Sequence, residues 1–222
     1  MEEIGEPMGF KPYQHQAEYL QSEAKYRLIQ AANQSGSSTV MAYDASKFAT
    51  DNPGSCVLLV SESIVCGRDT IQKRILEFCL PVKSTIMRSG IPNAIECFEL
   101  ENGSTIHIMS FGDPACKFQG INPDATYFDG GFYEHPDGSI PDLDILFRAM
   151  ISGSSITLNV VPLGKYRKIF DMFSFLPGVE IFKFVTMMNK SDVGVLAGLI
   201  PTSEIGPRLN AEWNANNNLS VF

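Results

Sequence analysis

The sequence predicts an α/β domain built on a doubly wound, mostly parallel sheet with an inserted β-hairpin. Three observations carry that expectation. Continuous apolar runs, Cys56 to Val60 and Ala125 to Phe128, have the character of strands buried on both faces. Stretches with helical spacing alternate with them, as crossovers between parallel strands require. A further pair of runs, carrying Ile95, Cys97, Phe98 and Leu100 and then Ile106, Ile108 and Phe111, is joined through Asn102-Gly103, a strong short-range hairpin signal.

The elements follow in order. Pro12 starts a helix over Tyr13 to Ala24, with Tyr13, Gln16, Tyr19 and Leu20 on one side. Arg27 to Ala32 is a short strand that runs into a Gly/Ser loop. Ser37 to Thr50 has helical spacing and offers Val40, Met41, Tyr43 and Phe48 for burial. Asn52-Pro53-Gly54 breaks the chain before the strand at Cys56. Ser63 to Leu80 is the next helix, ended by Pro81, and the hairpin spans Ile95 to Ser110. Ala125 to Asp129 is a strand ending in an acid, Leu143 to Ile151 a helix and Ile156 to Val161 a strand. Lys165 to Phe173 is helical, Ile181 to Met187 reads as a last strand, and Asn214 to Asn218 form a frayed tail.

Bulk properties narrow the function. The 222 residues, 44% hydrophobic and 19% charged, suit one globular domain with a sizeable core. Seventeen basic against 25 acidic side chains give a net charge of −8, which argues against a broad, non-specific nucleic-acid footprint. Lys165, Arg167 and Lys168 form either a local basic stripe or, the favoured reading, a solvated helix face. The 5 cysteines and 3 histidines are scattered without metal-ligand spacing, as in a reduced compartment. Met1 to Pro7 is acidic and lacks the apolar core of a signal peptide, and no apolar run reaches about 18 residues. A soluble protein made inside a cell is expected, with no membrane partner. The acidic set Glu134, Asp137, Asp142 and Asp144 reads as a solvated loop rather than a Ca²⁺ site, because Pro136 and Pro141 interrupt it.

Ala31 to Ser38 reads Ala-Ala-Asn-Gln-Ser-Gly-Ser-Ser and lies between a strand and a helix, the context of a phosphate-binding loop. Ala31, Gly36 and Ser38 fill their positions in G-x-x-x-x-G-K-[S/T]; Ser37 stands where that pattern has Lys. The backbone amides can still face phosphate at the helix N-terminus, but the ammonium that reaches the β- and γ-phosphates is missing. Asn33, Gln34, Ser35, Gly36, Ser37, Ser38 and Thr39 are the candidate phosphate contacts. The competing reading is a turn that binds nothing. Ala-Thr-Tyr-Phe-Asp, 125 to 129, has the form of the second motif of a P-loop NTPase-like fold, in which Asp129 and Ser38 would hold Mg²⁺. Gly130 and Gly131 follow, so no carboxylate stands at the position that orients an attacking water.

Taken together, these parts resemble the N-terminal ATPase domain of the large terminase subunit, the DNA-packaging motor of tailed bacteriophages. The resemblance runs from about Phe10 to Phe175. It is carried by Lys-Pro-Tyr-Gln-His-Gln, Tyr-Arg-Leu-Ile-Gln-Ala-Ala-Asn-Gln-Ser-Gly, the Leu-Glu-Asn-Gly-Ser-Thr-Ile hairpin, Phe-Gln-Gly-Ile-Asn-Pro-Asp-Ala, Tyr-Phe-Asp and Asn-Val-Val-Pro-Leu-Gly. The resemblance implies that Gln14 or Gln16 reads adenine, with Tyr13 packing nearby; an ordinary surface position on a first helix is the alternative for both.

Four departures from the family pattern stand out: Asn33 and Gln34 where the phosphate loop carries Arg, Ser37 for Lys, Gly130 for the catalytic Glu, and Asn159 to Val161 for the coupling Ser/Thr. One lost electrostatic group removes roughly 2.7–4 kcal/mol of transition-state stabilisation, by analogy with oxyanion donors, and several acting as a unit need not add. The expectation is a terminase-like protein of phage origin associated with DNA packaging, with no intact catalytic set and with ATP and Mg²⁺ bound weakly or not at all. Its alternative is a structural virion or assembly component that reuses the fold. A protein partner is favoured over bare double-stranded DNA, in the host cytoplasm or the virion. Residues 1–176 are expected to form the ATPase-like domain and 177–222 a C-terminal extension too short for the family's nuclease. Lys25, Arg27 and Lys47 are the candidates, by closeness in sequence, for a cation replacing the missing lysine.

Overall fold

The computed structural model describes residues 10–78, 82–132, 143–186 and 201–213. Eight strands form one mixed sheet: β1 (Tyr26–Ala31), β2 (Cys56–Ser61), β3 (Val82–Met87), β4 (Ile95–Leu100), β5 (Thr105–Ser110), β6 (Ala125–Asp129), β7 (Ser155–Val160) and β8 (Val179–Phe184). Their spatial order is β3-β4-β5-β2-β6-β7-β1-β8. β5, β2, β6, β7, β1 and β8 run parallel, while β4 pairs antiparallel with β3 and β5. The expected doubly wound sheet with an inserted hairpin is therefore present.

Alternation along the central strands separates two cores, because successive side chains point to opposite faces. Ile29, Ala31, Val57, Leu59 and Tyr127 face helix α2 (Ser37–Asp51), which presents Val40, Met41, Ala42, Ala45 and Ala49. Leu28, Leu58, Val60, Phe128, Leu158 and Val160 face α5 (Leu143–Ile151) and α6 (Arg167–Ser174). Burial on both faces is why these strands are apolar almost throughout.

Several expected boundaries move. The first helix, α1, is shorter, Gln14–Leu20. The helix expected from Ser63 divides into α3 (Ile64–Gly67), a π-helical turn (Arg68–Gln72) and α4 (Lys73–Phe78). A 3₁₀ turn, Gly164–Tyr166, leads into α6. β3 was not expected from the sequence: five of its six residues are exposed on the sheet edge, so it lacks an apolar signature. β8 begins two residues earlier than expected and pairs with β1 along its whole length. The segment after residue 177 thus starts inside the sheet. It continues to a helix, Thr202–Asn210, packed behind the Gly/Ser loop: Asn33 N–H donates to Arg208 C=O at 2.7 Å, and Trp213 Nε1 donates to Gln30 Oε1 at 3.1 Å. Met1 to Pro7, Cys79, Pro81, Glu134 to Asp137, Pro141, Asp142 and the Asn214 to Asn218 tail lie outside the described residues.

Candidate functional site

The Gly/Ser loop is shaped by backbone that only a few residues accept. Gly36 caps α2 at φ 74°, a left-handed conformation free of Cβ strain only for glycine, and Gln34 also has positive φ, 57°. The loop is held from three sides. Ala32 N–H donates to Phe184 C=O at 2.7 Å, and Asn33 is tied to the C-terminal helix. From α1, Gln16 Nε2 donates to the Ser35 and Gly36 carbonyls, both at 3.4 Å, while its Oε1 accepts the Tyr13 N–H at 3.0 Å. Gln16 is 1% exposed and both ends of its amide are engaged by backbone. Gln14 is exposed and its amide donates to Glu18. Of the two glutamines, then, one braces the loop and the other faces outward.

Strand register delivers the rest of the site. One strand, β7, lies between β1 and β6, and Asn159 on β7 pairs across to Ile29 and Asp129. Asn159 Nδ2 donates to Asp129 Oδ1 at 2.6 Å and to Ser37 Oγ at 3.0 Å, so one amide ties the acid of β6 to the first residue of α2. Burial raises the Asp129 carboxyl above its ordinary value; hydrogen bonds from Asn159 and Ser38 pull it back, and the Glu62 carboxylate pushes it up. Ser38 and Asp129, far apart in sequence, are thus brought into hydrogen-bond contact. Asn159 Oδ1 is buried without a partner among the described residues.

A cleft of about 480 Å³ opens over the loop, lined on one side by residues 34–39 and on the other by Asp69, Thr70, Lys73, Arg74 and Glu77. Ser35, 1% exposed, is one of the lining residues, and its buried hydroxyl has no hydrogen-bond partner among the described residues. None of the cations close in sequence serves this cleft. Arg27 lies between the sheet and α2, 2.8 Å from Asp44 and with its guanidinium 4.6 Å from the centre of the Tyr19 ring. Burial opposes its charge, but Tyr19, Asp44 and Tyr127 more than offset that, and Arg27 is held more firmly protonated than usual. Lys47 pairs with Asp51 at the far end of α2, about 15 Å from Ser37 at 1.5 Å per residue. Lys25 lies over the Tyr26 ring, 5.7 Å from its centre.

The glycines after Asp129 also have a structural reason. Gly130 and Gly131 both have positive φ, and a Cβ on Gly131 would come within 2.0 Å of the Phe111 ring. At Gly130 a Cβ would meet only Glu62, with Oε2 at 4.0 Å. Glu62 follows β2, whose Ser61 is in register with Asp129, so a carboxylate reaches this corner from a neighbouring strand. Sequence reading missed Glu62, Lys73 and the Asn159 bridge, since Glu62 and Asn159 meet the site only through sheet order and Lys73 only through helix packing.

A glycine-containing loop capping a helix after one strand, with an acid ending the next strand but one, defines a P-loop α/β fold. Solved structures narrow the class. The fold is that of phage large terminase ATPase domains: the large terminase ATPase domain of Thermus phage P74-26 superposes with a TM-score of 0.68 at 15% identity, over 94% of this chain and 96% of that one. The large terminase of the thermophilic bacteriophage D6E, solved in complex with ADP, gives 0.63 at 13% identity over 90% of this chain, which spans about half (53%) of that protein. The Phi-28 gp11 DNA packaging motor gives 0.51 at 11% identity, over 88% and 66% of the two chains. No family model and no curated protein matches the sequence. The likeness is one of fold, and at that level the resemblance read from the sequence is borne out.

Proposed function

We propose that this chain is a nucleotide-binding component of a phage DNA-packaging apparatus, with slow ATP turnover and its main effect exerted through a protein partner. The observation that carries this reading is a cleft lined by the loop and by Ser38, whose hydroxyl is hydrogen-bonded to the buried Asp129 carboxyl behind it. Hydroxyl and carboxylate oxygens suit Mg²⁺, and Ser38 and Asp129 would hold it, directly or through water. When bound, the ion would neutralise charge on the phosphates. The unpartnered Ser35 hydroxyl is a donor that a phosphate oxygen would satisfy. D6E large terminase has been solved with ADP and with ATP-γ-S, which supports the same ligand class here.

Turnover is slow in this reading because Ser37 offers no ammonium and Gly130 no carboxylate. Double-stranded DNA is a weaker candidate partner, since the net charge is −8. Among the described residues no helix is long and apolar enough to cross a membrane. A structural role without nucleotide is the competing reading, favoured by the Asn159 amide, which already occupies both Asp129 and Ser37. Calorimetric titration with ATP and Mg²⁺, alongside a phosphate-release assay, separates the two. Binding with little phosphate release supports the proposal; absence of binding at millimolar ATP overturns it in favour of the structural role.

A further inference from the structure

The cleft over the loop has a second wall, and its charges are arranged unevenly. Arg68 pairs with Asp69 at 2.9 Å and Arg74 with Glu77 at 2.7 Å, which accounts for both acids on that wall. Lys73 has neither an ion pair nor a hydrogen bond among the described residues; Asp69 is the carboxylate that feels its charge. Lys73 is exposed and directly follows the π-helical turn Arg68–Gln72. Such a turn adds a residue to the α-helical register and rotates the helix beyond it, and these turns recur at functional positions. Here Ile75 stays in the core while Lys73 and Arg74 line the same cleft as Ser37.

We propose that Lys73 supplies the ammonium that the phosphate loop lacks at position 37, binding the terminal phosphates of a nucleoside triphosphate from the helix that comes after β2. The cation has moved from the loop to the facing wall. A flexible lysine suits this role, because it acts as a point charge and needs no fixed fork geometry. Ser35 provides the second, independent sign of a ligand: a lining residue of the same cleft whose buried hydroxyl has no partner among the described residues. The inference rests on the nucleotide reading above and deepens it.

The test is calorimetric titration of the full chain with MgATP, and separately with inorganic tripolyphosphate, for the wild type, K73A, K73R and S37K/K73A. Lys73 is exposed, so the ligand-free melting temperature should match the wild type in K73A and K73R. MgATP affinity should fall about tenfold or more in K73A, as expected for a charge-assisted phosphate contact, and remain near wild type in K73R. S37K/K73A should recover most of the loss, since position 37 lines the same cleft. Tripolyphosphate should show the same ranking, because the contact is to phosphate and not to the base. Wild-type binding with K73A unchanged within about twofold would overturn the role of Lys73 and leave the nucleotide reading intact. Absence of binding to either probe at millimolar concentration in the wild type would overturn both.

Discussion

Asn159 Nδ2 lies 2.6 Å from Asp129 Oδ1, a charge-assisted hydrogen bond between adjacent parallel strands. The same amide reaches Ser37, so the acid, the bridging strand and the start of α2 are fixed as one unit. Truncating it leaves the carboxylate short of a donor. N159A should lower the unfolding free energy by about 1.5–3 kcal/mol, the range for hydrogen bonds to charged groups, measured by urea denaturation near neutral pH. A loss below about 0.5 kcal/mol would mean that the bond is not formed in solution.

Asp129 should also make the ligand-free fold sensitive to pH. Burial holds its carboxyl above the ordinary value against the pull of Asn159 and Ser38. A carboxyl raised on folding binds its proton more tightly in the native state. Its contribution is therefore full below the unfolded value of about 3.9 and is lost as pH rises through the folded value. D129N removes the ionisation and keeps an oxygen for Asn159. D129N should melt higher than wild type at neutral pH, and the difference should shrink as the pH falls through the raised value of Asp129 towards acid. Any Mg²⁺ dependence of ATP affinity should disappear in the same variant. Equal melting temperatures at neutral pH would show that Asp129 carries no strain of this kind.

How much of the molecule was legible in the sequence depended on where information is local. β2 and β6 were readable because burial on both faces leaves a continuous apolar run, and the hairpin because Asn102-Gly103 sits inside the turn itself. β3 was not, since its residues 83–87 are exposed and Val82-Lys83-Ser84-Thr85-Ile86-Met87 carries no apolar alternation. The C-terminal helix holds an internal Pro207, which masks helical spacing. In the site, the loop and Asp129 are contiguous motifs. Gln16, Glu62, Lys73 and Asn159 instead gain their positions from helix packing and strand order, which no spacing along the chain encodes.

The buried Arg27–Asp44 pair shows what closeness in sequence cannot. Arg27 lies in β1, the strand leading to the loop, yet its guanidinium is committed between the sheet and α2, over Tyr19 and Tyr127. Tyr19 Oη donates to Asp44 at 2.8 Å, and the Tyr19 hydroxyl, with Thr157 at 3.1 Å, ties α1 to β7. D44A leaves the buried cation without its carboxylate and should cost about 3–5 kcal/mol in denaturant unfolding, whereas an R27M/D44A double variant should cost clearly less. Equal losses in the two would show that the space left by Asp44, not the stranded charge, dominates.

Gly130 gives the sharpest contrast between a missing motif and a relocated one. Restoring the glutamate by G130E places a side chain at φ +81°, which costs about 1–2 kcal/mol in a left-handed conformation. It also sets a second carboxylate beside Glu62, whose Oε2 would lie 4.0 Å from the new Cβ. G130E should therefore lower stability and leave phosphate release no faster than wild type. If the chain turns over ATP, Glu62, reaching the same corner from β2, would be the carboxylate placed to orient a water there. E62Q should reduce the slow phosphate release about tenfold or more, below the full range of about 10²–10⁴ for a positioned base, with MgATP affinity changed less than about twofold. The split between turnover and affinity is the readout that matters: a parallel loss of both would assign Glu62 to binding, and unchanged release would remove it from the reaction.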